Sequence, residues 1–334
     1  MHAGACRPEN KKTCQNLPYR AKPYAMTLCI CIFSFNRGPY LKNCIASIES
    51  CSPASKIVIF DDNSNDPDTL ETLQEAGKKH TVIQPGDSSF RRLGGLYGNM
   101  QFALDYCKNE KLLCFLQDDT QMVRIVSKED IEAFDHAFDR HSALGFLHPC
   151  FMKGIKLAQG AIYNYDESLG LYFRAATGRS AGRYFSALLI TRPARLRHAG
   201  WQFANSEPAN DRLAQKHFIP MGYLFVPFAM WLPEVPAYSG KKKTFALRMA
   251  EKKRRSGYYP FRIKDSKEVN ALQSRSPSVL PVAEDFLRCR ESEPPKPWAY
   301  SPLYGLKWFK MLNKLEVKLT ASVKMIPGKG DLSM

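Results

Sequence analysis

The sequence predicts an α/β fold with a mostly parallel central sheet and helices on both of its faces. Four short apolar runs, at residues 27–33, 56–60, 81–84 and 111–116, alternate with segments whose apolar residues recur at helical spacing. Such alternation is typical of βαβ units, which place consecutive strands parallel in one sheet. Hydrophobic residues make up 44% of the chain and charged residues 24%, a composition that is typical of a globular protein with a buried core.

The helices between these strands are predicted from capping signals and from their apolar faces. Asp66 followed by Pro67 predicts a helix N-terminus, because aspartate caps free backbone N–H groups and proline favours the first helical position. Ser127 and Asp130 have the spacing of a capping box that begins a later helix. The side chains expected to face the sheet are Leu41, Cys44, Ile45 and Ile48, then Leu70 and Leu73, then Met100, Leu104 and Cys107, and then Ile131, Phe134 and Phe138.

The second part of the chain has a mixed pattern and a basic block. Residues 143–148 and 184–192 predict two further strands, and the proline- and glycine-containing segment 233–240 predicts a boundary. Residues 241–275 contain twelve Lys or Arg and three Asp or Glu, so this block contributes +9 to a net charge of +16. A local basic block indicates an acidic partner such as lipid headgroups or phosphates.

The ten cysteines are predicted to be reduced. Five of them lie inside apolar runs, where a free thiol behaves as a small hydrophobic group. These five are Cys29, Cys31, Cys44, Cys107 and Cys114. No apolar run approaches the roughly 18–20 residues that a membrane-spanning helix needs, and residues 1–25 have no signal-peptide core. We therefore expect a cytoplasmic protein, with peripheral contact at the inner face of the membrane as a further hypothesis.

Two of the predicted strands end in adjacent carboxylates, Asp61-Asp62 and Asp118-Asp119. Open parallel sheets bind ligands beyond the carboxyl ends of their strands, and neighbouring carboxylates repel each other unless cations or donors lie between them. Mg²⁺ and Mn²⁺ prefer oxygen ligands and commonly join one or two carboxylates to phosphates. The pairs therefore predict a divalent metal site for a phosphate-bearing ligand. The alternative is that they are solvated turn residues.

Several segments resemble, in matching order, the family 2 glycosyltransferases of the GT-A fold. They are ICIFSFNR at 30–37, IFDDNSND at 59–66, LQDD at 116–119, the strand-like stretch 184–192, HAGW at 198–201 and NDRL at 210–213. The resemblance covers roughly residues 26–230. It implies a GT-A-like sandwich of the Rossmann type, in an enzyme that transfers sugar from a nucleoside diphosphate sugar.

The same resemblance implies which residues bind the donor and the metal. Phe35 would flank the nucleotide base, Asp62 would hydrogen-bond the base, Asp118 would contact the ribose, and Asp119 would bind Mn²⁺ or Mg²⁺. The other implied donor-binding residues are Phe33, Ser34, Asn36, Arg37, Asp61, Arg91, Arg92 and Asn99. The alternatives are a core position for Phe35, a helix cap for Asn99, and a solvated loop for the two arginines.

Asp211 is the position that resembles the catalytic base of the family. A sugar hydroxyl is a poor nucleophile, and a carboxylate within hydrogen-bond reach takes its proton as the new bond forms. Attack opposite the leaving diphosphate would invert the anomeric centre through an oxocarbenium-like state. Glu207 is close enough in the sequence to compete with Asp211 for this role.

The resemblance also implies a division of the chain. We expect a poorly ordered arm at 1–25, a catalytic domain at 26–235 with a nucleotide-binding half (26–120) and an acceptor-binding half (121–235), and a basic extension at 236–334. The extension ends in a helix with one apolar face, formed by Trp308, Leu312, Leu315, Leu319, Val323 and Ile326. This helix either docks on the catalytic domain or lies on an anionic membrane surface.

The expected partners are a UDP-sugar as donor and a glycan or lipid-linked glycan as acceptor, in polysaccharide biosynthesis. Nucleic acid is not expected, because no nucleic-acid-binding motif accompanies the basic block. An enzymatic alternative is a sugar nucleotidyltransferase, which needs a glycine-rich phosphate loop that residues 33–40 fit poorly. A non-enzymatic alternative is a basic binding protein with a decayed donor site, and the presence of Asp62, Asp119 and Asp211 argues against it.

Overall fold

The computed structural model describes residues 27–84, 95–176, 182–240 and 242–323. Its elements are, in chain order, β1 (Leu28–Ser34), α1 (Gly38–Cys51), β2 (Lys56–Asp61), α2 (Pro67–Ala76), β3 (Thr81–Ile83), α3 (Gly95–Tyr106), β4 (Leu112–Gln117), β5 (Thr120–Met122), α4 (Lys128–Arg140), β6 (Leu147–His148), α5 (Gly154–Leu157), β7 (Tyr163–Asp166), β8 (Leu171–Arg174), β9 (Leu189–Thr191), α6 (Pro193–His198), α7 (Glu207–His217), β10 (Gly222–Leu224), β11 (Ala229–Trp231), α8 (Phe245–Arg254), α9 (Ser266–Gln273), α10 (Ala283–Phe286) and α11 (Lys307–Val323). The predicted arm at 1–25 and the predicted donor residues Arg91 and Arg92 lie outside the described residues.

Nine of the described strands form one mixed sheet in the order β3-β2-β1-β4-β9-β6-β10-β8-β7. The first four of these neighbours pair in parallel, as the strand–helix alternation predicts. Strands β9 and β8 run against the other members of the sheet. The predicted α/β fold with a mostly parallel central sheet is confirmed, and a second, two-stranded sheet joins β5 to β11.

Strand β1 lies in the parallel part of the sheet, and all seven of its residues are buried. Its alternate side chains enter two separate hydrophobic clusters, because successive residues of a strand point to opposite faces. Leu28, Ile30 and Ile32 pack with the apolar stripe of α1 on one face. Cys29, Cys31 and Phe33 pack with α3 on the other face. Helices therefore cover both faces of the sheet, as predicted.

Both strands predicted in the second half are shorter in the structure. Strand β6 contains only the last two residues of 143–148, because the backbone N–H of Leu144 bonds the carbonyl of His141 in a turn. Strand β9 begins at Leu189 rather than at residue 184. The backbone N–H groups of Tyr184 and Phe185 donate to the carboxylate of Asp211 and so are not available to a neighbouring strand.

The predicted helix caps are present, but one predicted core residue is not buried. The Asp66 side chain caps α2, and Ser127 with Asp130 forms the capping box of α4. Leu70 was expected to face inward and is instead 42% exposed. The inward stripe of α2 passes through Thr69 and Leu73, which are one helical turn apart and buried. Leu70 is therefore rotated away from the sheet.

The segment predicted as a basic extension shares the main core of the protein. Phe261, Leu272 and Trp298 belong to the same buried cluster as Leu28 and Ile30 of β1. The final helix, α11, packs against α8. None of the described helices is long and apolar enough to cross a membrane.

The described cysteines are free thiols, and all of them except Cys289 are buried. Cys29 and Cys31 of β1 each approach Cys107, which follows α3, with a distance of 3.9 Å between sulfur atoms. These three side chains are close enough together to hold a metal ion, and they lie inside the core cluster on the α3 face of the sheet. The sequence interpretation of these cysteines as core-filling thiols agrees with this position.

Candidate functional site: two cavities that meet at an acidic pair

Seven of the predicted donor-binding residues line one cavity of about 180 Å³ at the carboxyl ends of β1 and β4. We name it the strand-end cavity; the seven residues are Phe33, Ser34, Phe35, Arg37, Asp62, Asn99 and Asp118. They meet because the parallel register aligns Ser34 with Asp61 and Phe33 with Gln117, so that these strands end at one level. Tyr238, which the sequence patterns did not single out, also lines it, with its ring centroid 5.0 Å from that of Phe35.

Asp62 is held in position by donors from the start of α3. Its carboxylate accepts the backbone N–H of Gly95 at 3.0 Å and the side-chain amide of Asn99 at 3.1 Å. Gly95 has a φ of +69°, which lies in the left-handed region that favours glycine. These contacts hold the carboxylate at the cavity wall, where it keeps capacity to accept further hydrogen bonds.

Asn36 and Asp61 stabilise the turns around the cavity and do not line it. The side-chain oxygen of Asn36 accepts the backbone N–H groups of Asn65 and Asp66, at 2.8 and 3.1 Å. Asp61 is completely buried and accepts both the backbone N–H and the hydroxyl of Ser64. These contacts join the loop after β1 to the loop after β2. Asn36 and Asp61, which were predicted to bind donor, thus occupy positions that support the residues at the wall.

The acidic pair Asp118-Asp119 contacts Arg37. The Nη1 atom of Arg37 lies 2.5 Å from Asp119 Oδ2 and 3.4 Å from Asp118 Oδ1, and the backbone N–H of Phe35 donates to Asp118 at 2.9 Å. Burial nevertheless raises the pKa of Asp118 to about 7, against the effect of Arg37. A single arginine therefore leaves this pair of carboxylates short of positive charge.

Several buried polar atoms at the cavities have no hydrogen-bond partner among the described residues. They are Ser34 Oγ, Asn99 Oδ1, Asp119 Oδ1 and Tyr300 Oη. Unpartnered buried polar atoms are costly, and in a native protein they commonly mark the position of a ligand or an ion. The free Oδ1 of Asp119 is a carboxylate oxygen of the type that Mg²⁺ and Mn²⁺ prefer. Asp119 therefore fits the predicted metal ligand.

A larger cavity of about 430 Å³ lies on the other side of the acidic pair. We name it the aromatic cavity, because Tyr97, His148, Tyr163, Tyr223, Trp231, Tyr300 and Tyr304 line it. Asp119 lines this cavity while Asp118 lines the strand-end cavity, and Leu96 and Gln117 line both. The two cavities therefore meet at the acidic pair.

Lys153 and Glu207 are oppositely charged groups that line the aromatic cavity, and the surroundings shift the pKa of both. The Lys153 ammonium lies 3.4 Å from the ring centroid of Trp231 and 4.6 Å from that of Tyr300. Burial lowers the pKa of Lys153 to about 8. Burial also raises the pKa of Glu207 above its ordinary range, while Lys153 and Lys156 oppose this shift. By surface area Glu207 is nevertheless exposed at the start of α7, so its carboxylate is enclosed by the walls of an open cavity and not by the core of the protein.

Asp211 occupies a different environment one helical turn further along α7. Its Oδ1 atom accepts the backbone N–H groups of Tyr184 at 2.7 Å and Phe185 at 3.1 Å. It is not among the residues that line the aromatic cavity, whereas Glu207 is. The two candidates for the base thus differ in what their carboxylates contact.

His148 forms part of the wall of the aromatic cavity. Its ring stacks on Tyr223 with centroids 4.7 Å apart, and its Nδ1 atom accepts the backbone N–H of Cys150. Burial lowers the pKa of His148 to about 3, so the ring is neutral near neutral pH. With Nδ1 acting as an acceptor, the ring proton lies on Nε2, which makes this atom a donor.

Comparison with known proteins agrees with the sequence motifs. Residues 29–147 match the model of the family described as glycosyl transferase family 2. This segment contains strand-end residues and the acidic pair, and its match agrees with the resemblance that the sequence motifs indicate.

A solved structure similar to this chain is a complex of the mannosyltransferase PcManGT from Pyrobaculum calidifontis with GDP-Man and Mn²⁺. The two proteins share 11% sequence identity with a TM-score of 0.37, over 95% of this chain and 80% of that chain. No curated protein sequence matches the chain.

Proposed function

We propose that the protein transfers a sugar from a nucleoside diphosphate sugar to a hydroxyl acceptor, with a divalent metal ion and with inversion at the anomeric carbon. The observation that supports this proposal most directly is that the two cavities meet at Asp118-Asp119. A nucleotide bound in the strand-end cavity would place its diphosphate at this pair. The sugar would then project into the aromatic cavity, where the acceptor binds.

The strand-end cavity supports the donor half of this proposal. Phe35 and Tyr238 offer aromatic surface to a base, and Asp62 offers an acceptor that Gly95 and Asn99 hold in place. Ser34 Oγ is buried and has no partner among the described residues, so it is available to the donor. A UDP-sugar remains the first donor to test, because uracil presents a ring N–H group to an acceptor such as Asp62; thymine and guanine present one too, so dTDP- and GDP-sugars are tested beside it.

Asp119 would hold the Mn²⁺ or Mg²⁺ ion, with Asp118 directed to the donor ribose. When bound, such an ion stabilises the negative charge that develops on the departing diphosphate. Arg37 already contacts both carboxylates, so it would contribute positive charge at the same place and orient the pair. Lys153, which lines the aromatic cavity with Asp119, adds a second cation that contacts the rings of Trp231 and Tyr300.

Glu207 is our candidate for the catalytic base, with Asp211 second, the reverse of the order that the sequence suggested. Glu207 faces the aromatic cavity together with Asp119, and its raised pKa makes its carboxylate a stronger proton acceptor. Asp211 already accepts two backbone N–H groups on its Oδ1 atom, and it does not line the aromatic cavity. It would instead position the segment that carries Tyr184 and Phe185.

A donor screen tests this proposal. Calorimetry with UDP-, GDP-, dTDP- and CDP-sugars, each with Mn²⁺ and with EDTA, should find one nucleotide class that binds in a metal-dependent manner. NMR of the slow hydrolysis of that donor, with water as acceptor, should show a first-formed sugar of inverted configuration. Equal binding with EDTA, a retained configuration, or release of pyrophosphate from a nucleoside triphosphate and a sugar phosphate would overturn it.

A further inference from the structure

Helix α11 carries three stripes of different chemistry along its described side chains. Because an α-helix turns by about 100° per residue, positions three or four apart share a face. One stripe contains Phe309, Asn313 and Glu316. The second contains Trp308, Met311, Leu315 and Leu319, and the third contains Lys307, Lys310, Lys314 and Lys318. The second and third stripes adjoin each other on the side of the helix away from the first.

The first stripe attaches α11 to α8. The carboxylate of Glu316 accepts the backbone N–H groups of Phe245 and Ala246 at the start of α8, at 2.6 and 3.1 Å. Asn313 accepts the hydroxyl of Thr244 at 2.6 Å. This geometry fixes the rotation of α11 about its axis, so the outward direction of the other two stripes is set by the fold.

The apolar stripe is exposed although its residues are large. Trp308 and Leu319 are each 67% exposed, Leu315 is 50% exposed and Met311 is 44% exposed. Single exposed apolar residues are ordinary, but a contiguous stripe of four marks an interaction surface. The hydrogen bonds from α11 to α8 come from the first stripe, and the large side chains of the second stripe stay exposed.

The lysine stripe indicates what covers that face. Lys307, Lys310 and Lys314 are exposed and form no ion pair with any described residue. An apolar stripe beside unpaired lysines is the pattern of a helix that lies in the interface of an anionic bilayer. We propose that α11 docks the protein on anionic lipid surfaces, with Trp308, Leu315 and Leu319 inserted among the lipids and the lysines at the headgroups.

Charge favours a lipid surface over a second copy of the chain as the partner. The chain has a net charge of +16, so two copies would bring like charges together across this face. The position of α11 also connects the surface to the site, since it begins three residues after Tyr304, which lines the aromatic cavity. The inference does not rest on the proposed function, because lipid binding requires no sugar donor.

Vesicle sedimentation with the full chain tests this surface. We expect binding to vesicles that contain phosphatidylglycerol, strong weakening at high salt, and little binding to phosphatidylcholine alone. Each lysine at an anionic surface contributes about fivefold to binding, so replacing Lys307, Lys310 and Lys314 with Gln should weaken it about 100-fold. Replacing Trp308, Leu315 and Leu319 with Ser should abolish binding at physiological salt. Trp308 should shift its fluorescence to shorter wavelength on binding.

The matched control replaces Ile125 and Ile162 with Ser, since these residues are 62% and 53% exposed elsewhere on the surface. This variant should bind vesicles like the unmodified chain, and circular dichroism should show equal helix content in all variants. Failure of the wild-type protein to bind anionic vesicles would overturn the proposal. So would full binding by the serine triple variant, or sedimentation velocity showing that the apolar stripe joins two copies of the chain.

Discussion

The strand-end cavity and the aromatic cavity meet at the same acidic pair but are built in different ways. Hydrogen bonds from backbone groups organise the strand-end cavity: Asp62 contacts Gly95, and Asp118 contacts Phe35. Side chains brought from distant parts of the chain organise the aromatic cavity, in which Lys153 lies between Trp231 and Tyr300. The first arrangement suits recognition of a fixed ligand, whereas the second tunes charge and proton affinity. Substitutions in the strand-end cavity should therefore change donor affinity, whereas substitutions in the aromatic cavity should change turnover and its pH dependence.

The largest expected effect belongs to the aromatic cavity. Glu207→Gln keeps the shape of the side chain and removes the proton acceptor, so turnover at saturating donor should fall by roughly 10²–10⁴. Donor affinity, measured by calorimetry, should stay close to that of the wild type because Glu207 lies outside the strand-end cavity.

Asp211→Asn is the matched control for that variant. An asparagine oxygen still accepts the N–H groups of Tyr184 and Phe185, so turnover should change much less. Weaker acceptance by a neutral group should lower the free energy of unfolding by about 1 kcal/mol. A large loss of turnover in Asp211→Asn with an active Glu207→Gln enzyme would return the base assignment to Asp211.

A smaller effect is expected in the strand-end cavity. Asp62→Asn removes a charged acceptor that Gly95 and Asn99 hold in place, and hydrogen bonds to charged groups contribute about 1.5–3 kcal/mol. Donor affinity should fall by about 10- to 100-fold, with turnover at saturating donor nearly unchanged. If turnover falls while affinity is retained, Asp62 does not act through donor binding and the contrast between the cavities fails.

The smallest expected effect is a shift in pH dependence. A base must be deprotonated, so kcat/KM should rise with pH through the raised pKa of Glu207. Lys153 holds that pKa down, and Lys153→Gln should therefore move the acid limb of the profile to higher pH. Lys128→Gln, at a lysine on the surface of α4, should leave the limb in place. If the acid limb of the kcat/KM profile moves to lower pH in Lys153→Gln, Lys153 does not lower the pKa of Glu207.

The contrast between the cavities also explains what the sequence could predict. Asp62 and Asp118 follow apolar runs directly, and parallel pairing brings successive strand ends to one edge, so local patterns were sufficient to predict that these carboxylates meet. Ser34 and Phe35 line the same cavity, and they were named through the resemblance to family 2 glycosyltransferases. Lys153, Trp231 and Tyr300 belong to no shared motif. Their proximity depends on how β11 and the segment around Trp298 pack, which no periodicity in the sequence records.

The two base candidates differ in a way that the sequence does not show. Glu207 and Asp211 are one turn apart on α7, so helical spacing places them on the same side of the helix. Their carboxylates nevertheless have different contacts in the structure. Tyr184 and Phe185 lie before β9, and their backbone N–H groups donate to Asp211. The position of Asp211 in its motif does not indicate these hydrogen bonds, because they form only in the folded chain.

The central claim is that the nucleotide and the metal meet at Asp119, and Mn²⁺ titration followed by electron paramagnetic resonance tests it directly. By reciprocity of linked binding, UDP should raise Mn²⁺ affinity in the wild type by the same factor as Mn²⁺ raises UDP affinity. Asp62→Asn should weaken UDP binding and keep this coupling. Asp119→Asn should remove the coupling, because its amide oxygen would accept from Arg37 and its NH₂ group would replace the unpartnered oxygen at the junction of the cavities. Coupling of wild-type strength in Asp119→Asn would contradict the account.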